Sequence, residues 1–299
     1  MAHPAHIIPL MRLLAAEGGQ TAAQLAARLR RRPEWALTRL QFLQTFFGAA
    51  AERGGAWRLS FSPQWLDCDF LKTALPGAEV AEETESANSL AKNRKRGAFI
   101  FAEHQTRGRG RRGRRWLAMP GGSIMLSARL AAPPKLSGLS LAVGAALWRA
   151  LGGGLRLKWP NDLWNGEGQK VGGVLIETDG DDVIIGAGVN LVMTPELRAH
   201  APRAAALDSP LSRNACAARA GAAVLQAAGD FRRNGLDGFW EDIHAAHYFR
   251  AGAEVSFAAA DGAVRGTFAG FGEDGALLIR QGGGVQSYVS GDLAHVAGG

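Results

Sequence analysis

Six arginines and three glycines fall within the nine residues from Arg107 to Arg115, in the run Gly108-Arg109-Gly110-Arg111-Arg112-Gly113-Arg114-Arg115-Trp116. Glycine lets backbone amides approach an anion closely, and guanidinium forks grip phosphate or carboxylate oxygens in pairs. Such a loop can neutralise two reactants of like charge, as when a carboxylate must meet a triphosphate. A nucleic-acid-binding arginine-glycine tail has the same composition. Tails of that kind lie in disordered regions, however, whereas this run sits between Phe99-Ile100-Phe101-Ala102 and Ser123 to Leu130, which both read as core strands. Repulsion among six like charges, added to the freedom of three glycines, predicts a loop that is mobile until an anion supplies the counter-charge.

Three further segments carry charged or amide side chains beside glycine or proline: Lys158-Trp159-Pro160-Asn161-Asp162-Leu163, Lys170-Val171-Gly172-Gly173-Val174-Leu175-Ile176-Glu177 and Gly186-Ala187-Gly188-Val189-Asn190-Leu191. Taken singly, each is a strand end with a turn, and Lys158 and Lys170 read as solvated surface lysines.

The elements that must position these residues follow from periodicity. Ile7, Leu10, Met11 and Leu14 recur at helical spacing, Thr21 to Gln24 forms a capping box ahead of Leu25 and Leu29, and Pro33 opens a third helix carrying Leu37, Leu40 and Phe47. Arg53-Gly54-Gly55 then turns into a strand at Ala56 to Leu59, so residues 1–62 read as a winged helix-turn-helix. Beyond a proline-bearing connection, residues 78–250 mix strands (Ala98 to Ala102, Ser123 to Leu130, Val171 to Thr178, Val183 to Val189) with helices around Leu139 to Leu151 and Arg213 to Arg232. Residues 252–299 are short segments between glycine turns and read as a small β-barrel. The expected fold is therefore α+β in three units.

Composition removes several classes. The longest apolar stretch, around Leu139 to Trp148, is far shorter than the roughly 18 residues of a membrane span. Ile7 to Leu14 contains Pro9 and Arg12 and reads as a helix of the mature protein. The two cysteines, Cys68 and Cys216, form no CxxC or Cys/His cluster, which excludes a disulfide framework and a structural zinc site and fits the cytoplasm. A net charge of +7 favours polyanionic partners without separating DNA from phosphate ligands.

Together and in this order, GRGRRGRRW, KWPNDL, KVGGVLIE and GAGVNL resemble the biotin protein ligase family over nearly the whole chain. The resemblance implies a mixed α/β catalytic unit like that of class II synthetases, a C-terminal SH3-like barrel, and the N-terminal winged helix of members that also repress biotin-synthesis genes. It implies ATP-dependent formation of biotinyl-5′-AMP and transfer of biotin to a lysine of the biotin carboxyl carrier protein of acetyl-CoA carboxylase. Ser86, Ala87, Asn88, Gln105, Arg109, Gly110, Arg111, Lys170, Gly172 and Gly173 are then the biotin-binding residues. Arg111, Arg112, Arg114, Trp116, Lys158, Asn161, Lys170 and Asn190 are those for ATP, with Asp162 toward Mg2+. Lys170, Arg109 and Arg111 stabilise charge during catalysis. Ala87 stands where the family usually has threonine, so a hydroxyl contact is missing and a backbone contact is expected at most. Ser86 either contacts biotin or caps a helix, Trp116 either faces adenine or packs in the core, and Asp162 either serves the metal or fixes its turn.

The implied partners are the carrier protein, operator DNA and, in a ligand-linked homodimer, a second copy of the chain, with no membrane. The third helix offers Arg39 as its one internal cation beside Trp35, Leu37 and Phe42, so the N-terminal unit either reads DNA or is kept for packing. Competing readings are a lipoate ligase, a biotin-sensing regulator without ligation, and an arginine-rich RNA-binding protein.

Overall fold

The computed structural model describes residues 3–259 and 262–295. Residues 1–2 of the expected N-terminal unit and 260–261 and 296–299 of the expected C-terminal one lie outside that range. Helices α1 (Ile7–Glu17), α2 (Ala22–Arg28) and α3 (Pro33–Phe47) precede a hairpin of β1 (Ala50–Arg53) and β2 (Ala56–Leu59). The Thr21 hydroxyl accepts from the Gln24 N–H while the Gln24 side chain accepts from the Thr21 N–H, the reciprocal cap predicted from sequence.

The central unit comprises α4 (Cys68–Ala74), β3 (Ala78–Thr84), α5 (Ala87–Lys92), β4 (Phe99–Gln105), β5 (Ser123–Ala131), α6 (Leu139–Leu151), β6 (Arg156–Lys158), β7 (Asp162–Trp164), β8 (Lys170–Asp179), β9 (Asp182–Asn190), α7 (Pro195–His200), α8 (Arg213–Asn234) and α9 (Trp240–Ala246). Its seven strands run in the order β3-β4-β5-β9-β8-β7-β6. The β3–β4 pair is parallel and the others antiparallel. Side chains alternate across this sheet, as the two-residue period of a strand requires. Phe99, Phe101, Ile124 and Leu126 join the large core with residues of α6 and α8, while Ile100, Ala102, Met125 and Ile184 pack with α5. Edge strand β3 and the short β6 and β7 extend the four strands expected from sequence.

Strands β10 (Glu254–Ala259), β11 (Gly262–Phe271), β12 (Leu277–Gln281), β13 (Gly284–Tyr288) and β14 (Asp292–His295) make an antiparallel sheet in the order β13-β12-β11-β10-β14. The last of these had no counterpart in the sequence reading. The unit docks on the central one through Trp159, whose indole N–H donates to the Gly275 carbonyl at 2.9 Å.

Two devices join the N-terminal helices to the central sheet. The Glu83 carboxylate of β3 accepts the N–H groups of His6, Ile7 (2.6 Å) and Ile8 (3.1 Å), pairing a negative charge with the unsatisfied amides that open α1. The core around Leu10, Leu25, Leu40 and Phe47 also includes Met119 and Leu197 from the central unit. The connecting segment is tied down by a fully buried pair, in which Glu103 of β4 accepts from Arg213 of α8 and from the Leu66 N–H at 2.6 Å. Arg213 also donates to the Gln64 carbonyl at 2.8 Å. Among the described residues no helix is long and apolar enough to cross a membrane.

Candidate active site

A cavity of about 680 Å³ opens on the α5 face of the central sheet, between α5, the arginine loop and the ends of β7, β8 and β9. Amide and hydroxyl groups gather at its β4–β5 side. Gln105 accepts the Ala87 N–H through Oε1 at 2.7 Å, which commits its carbonyl and leaves its amide nitrogen as the polar group for a ligand. The Ala87 N–H is thereby occupied, so the backbone contact expected at that position goes to Gln105. Ser86 stands at the N-cap of α5, yet its side chain makes no cap hydrogen bond. Asn88 is fixed from two sides: the Ser127 hydroxyl donates to its Oδ1 at 2.5 Å and its Nδ2 donates to Glu177 at 2.7 Å.

Strand β9 makes room for these side chains by carrying glycine at alternate positions on this face. A Cβ at Gly186 would overlap the Asn88 amide, and one at Gly188 would come within 2.6 Å of the Trp116 ring. Ordinary contacts of a Cβ begin well beyond that, so the Gly-Ala-Gly spacing is a packing requirement of the site.

Cations gather at the β7–β8 side. Lys170 Nζ donates to Asp162 Oδ1 at 2.6 Å, and Arg111 Nη1 donates to Asn161 Oδ1 at 2.9 Å. Asn161 is held in turn by the Val174 carbonyl at 2.8 Å. Asp162 is the one acidic residue among the described residues lining the cavity. Trp116 Nε1 and Asn190 Oδ1 are buried with no hydrogen-bond partner, although Asn190 Nδ2 reaches the Ala205 carbonyl. A buried donor and acceptor left in a cavity wall are costly unless a ligand or water completes them. Trp116 therefore has both an apolar face and an uncommitted donor in the site.

The arginine loop is built, not extended. The Gly110 N–H donates to the Arg114 carbonyl at 2.7 Å and the Trp116 N–H to the Gly108 carbonyl at 2.9 Å, closing a turn over Arg111–Gly113. Its charges are spread onto separate partners: Arg107 on Glu85 at 3.3 Å, Arg109 on Glu177 at 3.1 Å and Arg111 on Asn161. The counter-charge that the neighbouring sequence lacks comes from farther along the chain. Glu177 supplies one from 68 residues away.

Fifteen of the expected site residues line the cavity: Ser86, Ala87, Asn88, Gln105, Arg109, Gly110, Arg111, Arg112, Arg114, Trp116, Asn161, Asp162, Lys170, Gly173 and Asn190. Two do not. Gly172 faces the other side of the strand, where a Cβ would meet the Gly188 carbonyl at 2.6 Å and the side chains of Val189 and Leu163. Lys158 is buried with its ammonium 4.3 Å from the Trp164 ring centre. Lys158 stands opposite Asp162 in the β6–β7 ladder, and the Trp164 ring it faces is the diagonal neighbour on β7. Sequence reasoning missed Ser127, Gly186, Gly188 and the wall formed by His200 to Ala204. Serine in an otherwise apolar strand and glycine at a two-residue period were the available signals for the first three. His104, beside Gln105, points away into a cluster with His3 and Phe47. Burial, with His3 and Arg115 nearby, pushes its pKa down to about 3, which makes it a neutral packing residue.

A mixed sheet with an arginine-glycine turn closing over one face thus frames the cavity. Residues 78–190 match the model of the biotin/lipoate A/B protein ligase family. Over 158 residues it is 36% identical to the bifunctional ligase/repressor BirA of Salmonella typhimurium, a match covering 47% of this chain and 49% of that one. The biotin–[acetyl-CoA-carboxylase] ligase of Paracoccus denitrificans is 36% identical over 141 residues, covering 40% of this chain and 57% of that one. The chain thus matches about half the length of these curated relatives. The biotin protein ligase from Aquifex aeolicus, solved in complex with biotin and ATP, superposes with a TM-score of 0.64 at 26% identity, over 73% of this chain and 97% of that one.

Proposed function

We propose that the chain is an ATP-dependent biotin protein ligase, which joins biotin to ATP as biotinyl-5′-AMP and transfers biotin to a lysine of a biotin carboxyl carrier protein. One observation carries the reading: a single cavity holds directed amide groups, Asn88 and Gln105, on one side and Arg111 and Lys170 on the other. Biotin has a polar ureido head and a carboxylate tail, and its length suits a site polarised in this way. In the first step a biotin carboxylate oxygen attacks the α-phosphorus of ATP, an O–P bond forms and pyrophosphate leaves. Lys170, Arg109 and Arg111 hold the carboxylate and phosphate oxygens and offset the charge that develops between them. Trp116 and Asn190 offer a ring face, a donor and an acceptor to adenine, while Arg112 and Arg114 flank the phosphates. In the second step the neutral lysine amine of the carrier attacks the acyl carbon, AMP leaves and the amine loses a proton. The mixed anhydride is already activated, so no nucleophilic side chain is required.

The donor set also fits Mg2+ of the kind that binds through one carboxylate and substrate phosphates. Asp162 would hold it, and the ion would supply charge neutralisation on the phosphate oxygens. Among the described residues no cluster of three His, Cys, Asp or Glu side chains could hold a metal independently.

Biotin-dependent exchange of ATP with pyrophosphate tests the reading, with lipoate as the control acid. Biotin is expected to support exchange and lipoate to fail, because the dithiolane ring offers nothing to Asn88 and Gln105. Equal rates with both acids would point to a lipoate ligase.

We infer further that residues 1–62, 78–250 and 252–299 are a winged helix-turn-helix, a class II synthetase-like catalytic unit and an SH3-like barrel. The outward side of α3 carries Glu34, Leu37, Thr38, Gln41 and Thr45. Arg39 is committed elsewhere, lying 4.1 Å from the Trp35 ring centre and donating to the Ala5 carbonyl. Cations for phosphate are Arg28, Arg30, Arg31 and Arg32, all exposed around the α2–α3 turn. Repressor activity thus depends on Thr38 and Gln41 for base contacts. In gel-shift titrations, operator binding should weaken steeply with salt and strengthen with biotinyl-adenylate through dimerisation. Binding without sequence preference when the adenylate is present would leave the unit a packing role.

A further inference from the structure

We propose that Glu177 is a positioning residue of this site, setting which end of the Asn88 amide faces the cavity and mooring Arg109 at its edge. The inference rests on the biotin-binding reading above. Glu177 lies on β8 and does not line the cavity, yet four contacts converge on it. Asn88 Nδ2 donates to Oε2 at 2.7 Å, Arg109 Nη2 lies 3.2 and 3.1 Å from Oε1 and Oε2, and Lys92 Nζ lies 3.5 Å from Oε1.

An asparagine amide has a donor end and an acceptor end of nearly the same shape, and its surroundings decide which goes where. An ionised carboxylate can only accept, so the amide nitrogen of Asn88 must turn toward Glu177. Burial pushes the Glu177 carboxyl up, but the Asn88 hydrogen bond and the charges of Arg109 and Lys92 outweigh it and hold the pKa below the usual value. The group is therefore charged at neutral pH. The Asn88 carbonyl is left at the cavity, supported by the Ser127 hydroxyl and seated over Gly186.

This orientation complements the one fixed across the pocket, where Gln105 spends its carbonyl on Ala87 and presents nitrogen. One acceptor and one donor then confront a ureido ring, whose N–H groups need acceptors and whose carbonyl needs a donor. A reversed Asn88 would set donor against donor. Glu177 also holds Arg109 through Nη2, which leaves other guanidinium donors to engage a substrate oxygen without release of the carboxylate.

Two substitutions separate the two roles. Glutamine at position 177 keeps an acceptor for Asn88 but removes the charge that moors Arg109, and alanine removes both. In Glu177→Gln, tryptic cleavage within residues 107–115 of the ligand-free protein should accelerate at least threefold, while the KM for biotin in pyrophosphate exchange rises less than threefold. In Glu177→Ala, cleavage should accelerate similarly and the KM for biotin should rise at least tenfold, with a smaller change in kcat. Asn88→Asp, which sets two carboxylates together, should lose biotin affinity in the parent and regain part of it with Glu177→Gln, whose amide can donate to the new carboxylate. The assignment is overturned if folded Glu177→Ala keeps its KM for biotin within twofold, or if Asn88→Asp is not relieved by Glu177→Gln. Absence of biotin-dependent exchange in the parent protein would instead refute the ligase reading, and the cleavage rates would still decide the mooring of Arg109.

Discussion

Lys170→Ala should leave the fold intact and slow adenylate formation by about two orders of magnitude, a loss on the order of 3 kcal/mol of transition-state stabilisation. The side chain is about one-third exposed and its backbone is secured in β8, so truncation opens no cavity in the core. What changes is charge. Lys170 Nζ neutralises Asp162 at 2.6 Å in the cavity wall. On the ligase reading, its loss removes a cation that faces both the Asp162 carboxylate and the phosphate oxygens. The loss should fall mainly on kcat, since developing charge is greatest in the transition state. Exchange kinetics beside a thermal melt provide the check, and near-normal turnover in a folded variant would remove Lys170 from the catalytic set.

The second large effect concerns stability. Arg213→Ala should cost about 3–5 kcal/mol, because it strands the Glu103 carboxylate without its cation at a fully buried position. It would also release the Gln64 carbonyl. The double change Glu103→Gln with Arg213→Met should be milder than Arg213→Ala alone, since no charge is left buried. Denaturant titration measures both, and a single-variant cost below about 1 kcal/mol would mean that water reaches the pair. In either variant the connecting segment loses the Arg213 side-chain donor at the Gln64 carbonyl, while position 103 still offers an acceptor to the Leu66 N–H.

Groups adjacent in the chain were legible in the sequence. The capping box at Thr21, the glycine turns and the arginine run are local patterns, and their chemistry is carried by residue type. The cavity could be anticipated for the same reason, since most of its charged and amide residues cluster in four short motifs. Hidden from sequence were partnerships over long separations: Glu103 with Arg213 across 110 residues, Arg109 with Glu177 across 68. Lys158 and Gly172 show a second limit. Both belong to motifs whose neighbours face the cavity, but strand alternation turns Gly172 to the other side, and the Trp164 ring on the neighbouring strand draws Lys158 out of the lining. The loop provides a third case, for a run of like charges reads as repulsive until the carboxylates folded against it are known.

The inclusion of Met119 and Leu197 among the buried residues of the N-terminal helices bears on modularity. A segment whose interior is completed by its neighbour cannot be transplanted like a bead from a string. Grafted onto another scaffold, residues 1–62 would carry an oily opening where those two side chains belong, and its owner would have to refill it or tolerate clumping. The same sharing means that the helices and the sheet melt as one cooperative block, so heat should give a single transition where a reader of the chain would have counted two.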